Sequence, residues 1–181
     1  MRSKGPLAAA AALFVLGTVV GVLLTAFLPS VSGRVETGVT VLPSNGMPTV
    51  STILRHNAVT AVLLAGGVVT LGTTTVLNLL VNGVVQGLLL ARGLTVTDPV
   101  TVGLLFVPHA VFELPALLLA AAAGFRGPRE FARYLRGSKQ YLFTRQDLRD
   151  VLVLGALALG LLVVAACVER YVTLEFAQTL R

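Results

Sequence analysis

Residues 57–91 read NAVTAVLLAGGVVTLGTTTVLNLLVNGVVQGLLLA, 35 positions without a charged side chain. One α-helix of that length would measure roughly 52 Å, against a hydrocarbon core of about 30 Å. The stretch is too long for one crossing and too short for two full helices with a turn. It is predicted to form a pair of short or broken helices meeting around Gly72 to Asn82, where Gly66, Gly67, Gly72, Asn78, Asn82 and Gly83 supply weak points. Backbone interrupted at membrane depth needs cover from protein or from a wet cavity. A polar interior is therefore expected.

The rest of the chain agrees with a membrane setting. Of 181 residues 55% are hydrophobic and 12% charged, about half the charged share of a soluble domain. The mean hydropathy is +0.88. A soluble fold would leave large apolar patches in water. The lone Cys167 excludes an internal disulfide, and the bland reading of it is a small buried hydrophobe. The net charge of +6 is concentrated in one loop, so no nucleic-acid partner is expected.

Outward from residues 57–91, further spans can be read. Pro6 to Leu28 is free of charge, and Leu7 to Leu28 would make a helix of roughly 33 Å. Arg2 and Lys4 precede it, as in a signal peptide, but the apolar run is long for one, and a retained anchor is expected. Residues 29–56 are broken by glycine and proline and read as an extracytoplasmic connection with a short hairpin. Arg55 and His56 then mark the membrane surface. Val100 to Gly124 and Val151 to about Val168 complete the spans. Between them, residues 125–150 carry seven basic and three acidic side chains. The positive-inside rule places this loop, and the N-terminus, in the cytoplasm. Both placements hold only if residues 57–91 cross twice. The expectation is an all-α, multi-pass transmembrane helical bundle of about five crossings, with the C-terminus outside. Its parts are an N-terminal helix (1–28), the connection (29–56) and a membrane domain (57–181).

Within the basic loop, Phe131, Tyr134 and Leu135 fall at i, i+3, i+4, with Arg129, Arg133 and Arg136 between them. That pattern suits a helix lying on an anionic membrane face, and a docking surface for a soluble partner fits equally well. Gly17 and Gly21, and Gly83 and Gly87, form two GxxxG pairs able to let another helix approach closely.

Strong polar groups at bilayer depth are costly, and function is sought there. His109 and Glu113 share one helix face at i, i+4, and a hydrogen bond from His109 would offset the cost of the carboxyl. Pro108 and Pro115 flank the pair and leave the carbonyls of Leu104 and Val111 without helical partners. Asn78, Asn82 and Gln86 form an amide stripe at i, i+4, i+8. Glu169 and Arg170 end the last span. The pair is readable as interhelical glue, as a proton or substrate site, or as part of a metal site. Zinc needs three or four ligands, with Glu169 the only obvious third, so the metal question stays open. The amide stripe reads first as packing glue. No nucleophilic triad, phosphate loop or Cys pair occurs, and no cofactor is expected.

From Asn57 to Thr173 the chain resembles the stage II sporulation protein M family. The resemblance rests on Asn57, the step Gly66–Gly67, Leu79-Leu80-Val81-Asn82-Gly83 with Gly87, and Val168-Glu169-Arg170-Tyr171-Val172-Thr173. Its most specific part is Phe106-Val107-Pro108-His109-Ala110-Val111-Phe112-Glu113-Leu114-Pro115-Ala116. Ala110 stands where the family usually has Gly. The resemblance implies a small multi-pass protein with a His/Glu-bearing span. In spore formers it implies a membrane scaffold that localises cell-wall hydrolases during engulfment; relatives are widespread in organisms that never sporulate.

The first expectation is thus a membrane scaffold or assembly subunit without catalysis of its own. It would contact the bilayer and other membrane proteins or further copies of itself. A transporter-like component with a midplane site at His109 and Glu113 is the alternative, and an intramembrane metal-dependent enzyme the third.

Overall fold

The computed structural model describes residues 4–27 and 47–179, and among them every regular element is helical. The hairpin expected in residues 29–56 lies largely outside the described residues. The elements are α1 (Lys4–Phe27), α2 (Val50–Ala65), a 3₁₀ turn (Gly66–Val68), α3 (Thr73–Val96) and α4 (Pro99–Gly124). Then come α5 (Arg126–Leu135), α6 (Arg145–Val168), a π-helical turn (Glu169–Thr173) and α7 (Leu174–Thr179). Among the described residues, four helical stretches are long and apolar enough to cross a membrane: Gly5–Phe27, Thr73–Val96, Pro99–Leu135 and Arg145–Gln178. The fifth leg, α2, has 16 residues, about 24 Å of helix.

The helix boundaries have local causes. Thr49 caps α2 by accepting from the Thr52 N–H at 3.2 Å, which starts the helix seven residues before the uncharged stretch. Arg55 and His56 are therefore inside α2 and do not mark its edge. The break falls at Gly66–Gly72, nearer the N-terminus than the glycine and asparagine pattern suggests, and α3 continues without interruption past Asn78, Asn82 and Arg92. The chain reverses through Leu71 and Gly72, both at positive φ (51° and 87°). A side chain at φ near +87° is strained, which suits glycine. Only α2 is short, because the break falls early in the stretch and α3 runs on past Ala91 to Val96. Asp98 caps α4, its Oδ1 accepting from the Val100 and Thr101 N–H groups at 3.0 Å each. Those hydrogen bonds hold its carboxyl below the usual aspartate value.

The two GxxxG pairs meet each other. A Cβ on Gly17 would lie 2.6 Å from the Leu80 carbonyl oxygen and 3.1 Å from Gly83 Cα. One on Gly21 would collide with the Val84 carbonyl, and ones on Gly83 and Gly87 with the Phe14 and Thr18 carbonyls. Backbone touches backbone, as small-xxx-small packing allows. Since Gly17 pairs with Gly83 and Gly21 with Gly87, both helices advance in the same direction. Two parallel helices joined in sequence require the chain to return between them, and α2 provides that leg. Its Leu64 end packs with Leu79, Leu117 and Ala120, and its Ile53 end with Ala166 and Leu174.

α4 and α6 pack through small side chains. Ala120, Ala121, Ala122 and Ala123 are buried, as are Ala158, Ala165 and Ala166. Leu7 reaches Ala122, Ala123 and Leu154. The start of α1, the 66–72 turn, the end of α4 and the start of α6 thus share one end of the bundle, with the 125–150 segment. Val15, Leu16, Val62, Val81, Leu152 and Leu157 are exposed. An outer surface as apolar as the interior is what lipid contact requires.

Candidate functional site

His109 and Glu113 lie half-buried on α4, and they do not pair with each other. Thr173 Oγ1, from the π-helical turn, lies 3.5 Å from His109 Nδ1. The ring meets Phe106 edge-on, with centroids 5.8 Å apart. The extra residue of a π turn rotates the residues after it, a device often found at functional sites, and here it turns Thr173 inward to 6% exposure. Glu113 makes no hydrogen bond among the described residues. Its electrostatic neighbour is Glu169, at the head of the same turn, and Glu169 is in turn within reach of His56 on α2. Three legs of the bundle thus bring titratable groups towards one another. Leu104 and Val111, whose carbonyls lose a helical partner to proline, are both exposed positions. Among the described residues no three His, Cys, Asp or Glu side chains come close enough to hold a metal ion.

The amide stripe splits. Asn78 donates to the Thr74 carbonyl at 2.9 Å and Asn82 to the Asn78 carbonyl at 2.8 Å, so both bind their own helix. Gln86 instead lines a cavity of about 360 Å³ between α1, α3 and α4, with Phe14, Thr18, Phe106 and Leu117. That cavity is apolar and stops short of His109 and Glu113. Thr75, one of three consecutive threonines, carries no signal in the sequence that sets it apart. It is fully buried and donates to the Leu64 carbonyl at 2.6 Å, fastening the end of α2 to α3. Gly67 and Gly124 leave room for that hydroxyl, since a Cβ on either would strike it.

The best-built polar cluster is at the basic end. α5 turns Arg126, Gly127 and Glu130 inward. Arg126 pairs with Asp150 at 2.8 Å, and Arg133 with Glu130 at 2.9 Å. Lys139 bridges Glu130 and Asp147. Asp147 closes a capping box with Thr144, which starts α6. Burial alone would lower the Lys139 ammonium, but its hydrogen bonds to Asp147 and Glu130 outweigh that and raise it. Glu130, at 2% exposure, is a buried carboxylate with two cations on it, the condition under which burying a charge is tolerable. Of the residues expected on a membrane or docking face, Arg133 is tied to Glu130 and Phe131 is half-buried. Arg129 also has a partner. Tyr134 and Arg136 stand exposed. Charge spacing alone does not reveal that the acids turn inward.

With this geometry in hand, comparison with known proteins places the chain. The profile of the family described as stage II sporulation protein M matches residues 10–174. An uncharacterized protein of Methanocaldococcus jannaschii is 33% identical over 139 residues, covering 74% of this chain and 78% of that protein. No solved structure matches. The family match takes in most of α1 and all of α2, so it extends well before Asn57.

Proposed function

The chain belongs to the stage II sporulation protein M family, and from that premise we propose that it is a membrane scaffold or assembly subunit that positions partner proteins. It is a component of the membrane. The scaffold role is supported by where the polar groups at depth are engaged. Thr75 fastens α2 to α3, His109 meets the turn after α6, and Asn78 and Asn82 bind their own helix. The contacts of Thr75 and His109 join different elements and so hold the bundle in one arrangement, and a rigid bundle with two exposed ends suits a protein that presents partners. The positive-inside rule assigns the basic end to the cytoplasm.

Photocrosslinkers placed at Leu71 and Tyr171, exposed at opposite ends, test this in the cells that make the protein. The scaffold reading expects a protein adduct of one defined mass from at least one position. Adducts to lipid alone from both would sink it.

A second reading has its own support. Glu113 has no hydrogen bond among the described residues and faces Glu169 electrostatically. A carboxyl kept at depth without a fastening role suits a transporter-like component with an intramembrane polar site. Glu113→Gln that melts at or above wild type while abolishing the cellular role would move this reading ahead.

A further inference from the structure

We infer that the outward face of α5 and the 136–149 segment seat on an anionic lipid leaflet, with Arg136, Arg145 and Arg149 on the lipid phosphates. The inference is independent of the scaffold reading. α5 turns polar groups inward: Arg126 and Glu130 are buried, while Leu135 on the opposite side is 68% exposed and Tyr134, at the helix end, is 45% exposed. In water that orientation would be unfavourable; against a bilayer it is the expected one.

Charge sorting points the same way. All three acids of the segment are engaged internally: Glu130 by Arg133 and Lys139, Asp147 by Lys139, and Asp150 by Arg126. Arg136, Arg145 and Arg149 are exposed and form no ion pair among the described residues. The outward side is therefore cationic and aromatic, with Tyr141 70% exposed beside these arginines in sequence. Depth fits as well. The apolar run of α6 begins at Val151, so Arg149 and Arg145 lie about 3 and 9 Å before it along the axis. The headgroup layer extends roughly 5–7 Å beyond the hydrocarbon, so the Arg149 backbone lies within it and the Arg145 backbone about 2–4 Å outside it, a gap that a long arginine side chain can cross. An acidic protein surface could meet the same cations, but it would not account for the outward Tyr134 and Leu135 at the membrane boundary.

The test uses the full chain in nanodiscs of phosphatidylcholine, with and without phosphatidylglycerol. An environment-sensitive fluorophore is attached at Tyr141→Cys in a Cys167→Ala background. The expected result is blue-shifted emission and shielding from an aqueous quencher only with phosphatidylglycerol, reversed by high salt. Arg136→Gln, Arg145→Gln and Arg149→Gln together should abolish the shift without lowering the melting temperature. Should the labelled variant fail to fold, trypsin cleavage of the wild type after Arg145 gives the same answer. It should slow roughly tenfold or more in the anionic discs. Equal emission or equal cleavage in both discs overturns the inference. So does shielding by an acidic polypeptide where phosphatidylglycerol gives none, an outcome that would assign the face to a protein.

Discussion

At the α1–α3 seam no charged side chain takes part: Gly17 and Gly21 lie against Gly83 and Gly87, backbone on backbone. At the base of α5 and α6 six charged side chains interlock, from Arg126 to Asp150. The seam lies in the apolar depth of the bundle, where lipid competes with any side-chain packing and close approach is the main resource. The base lies where water can reach, so a carboxylate such as Glu130 can be buried provided its cations come with it. Each device fails in the other's place. Charges at the seam would lack solvation, and bare glycines at the base would leave the 125–150 segment with nothing to fix it.

The seam should therefore tolerate volume least. Gly83→Ile drives a side chain into the Phe14 carbonyl and is expected to cost about 3 kcal/mol or more, read as a large fall in detergent melting temperature. Gly160→Ile, where nothing lies within 4 Å, is the matched control and should melt near wild type. If both behave alike, the seam has no special role. At the base, Glu130→Ala leaves Arg133 and Lys139 without their shared carboxylate. It should cost about 2–3 kcal/mol, below the fully buried case because Arg133 is a third exposed. Faster proteolysis within 136–149 at an unchanged α1–α3 contact would show that the two regions fail separately.

Thr75→Val, away from both, removes the hydroxyl that ties α3 to the Leu64 carbonyl. It should cost about 1 kcal/mol, measured by the same melt. The smallest effect concerns pH. Because the folded Lys139 is raised above its ordinary value of 10.5, its contribution is complete below that pH. It is lost only as pH rises through the folded value. Melting should be insensitive to Lys139→Met above that range and sensitive to it at neutral pH.

How much of this the sequence discloses differs between the two regions. The glycine spacing at 17/21 and 83/87 is legible as close packing, but each pair could meet any helix. That they meet each other, in parallel, depends on where α2 begins, and Thr49 as a cap inside a Pro/Gly-rich stretch is a weak local signal. At the base, the i, i+3, i+4 pattern of Phe131, Tyr134 and Leu135 announces an amphipathic helix. It cannot say which face turns inward, because Glu130, Asp147 and Lys139 are brought together across a loop. For His109, helical spacing suggests Glu113 as partner. The partner is Thr173, 64 residues away, placed by a π turn that composition does not encode.

One path of the chain joins these regions: parallel α1 and α3, α2 as the return leg, and a shared end for the start of α1 and the 125–150 segment. Single cysteines at Gly5, Tyr141, Val96 and Tyr171 in a Cys167→Ala background, probed with an impermeant maleimide in oriented membrane vesicles, test it directly. Gly5→Cys and Tyr141→Cys should label from one side, and Val96→Cys and Tyr171→Cys from the other. Labelling of Gly5→Cys and Tyr141→Cys from opposite sides would contradict the architecture.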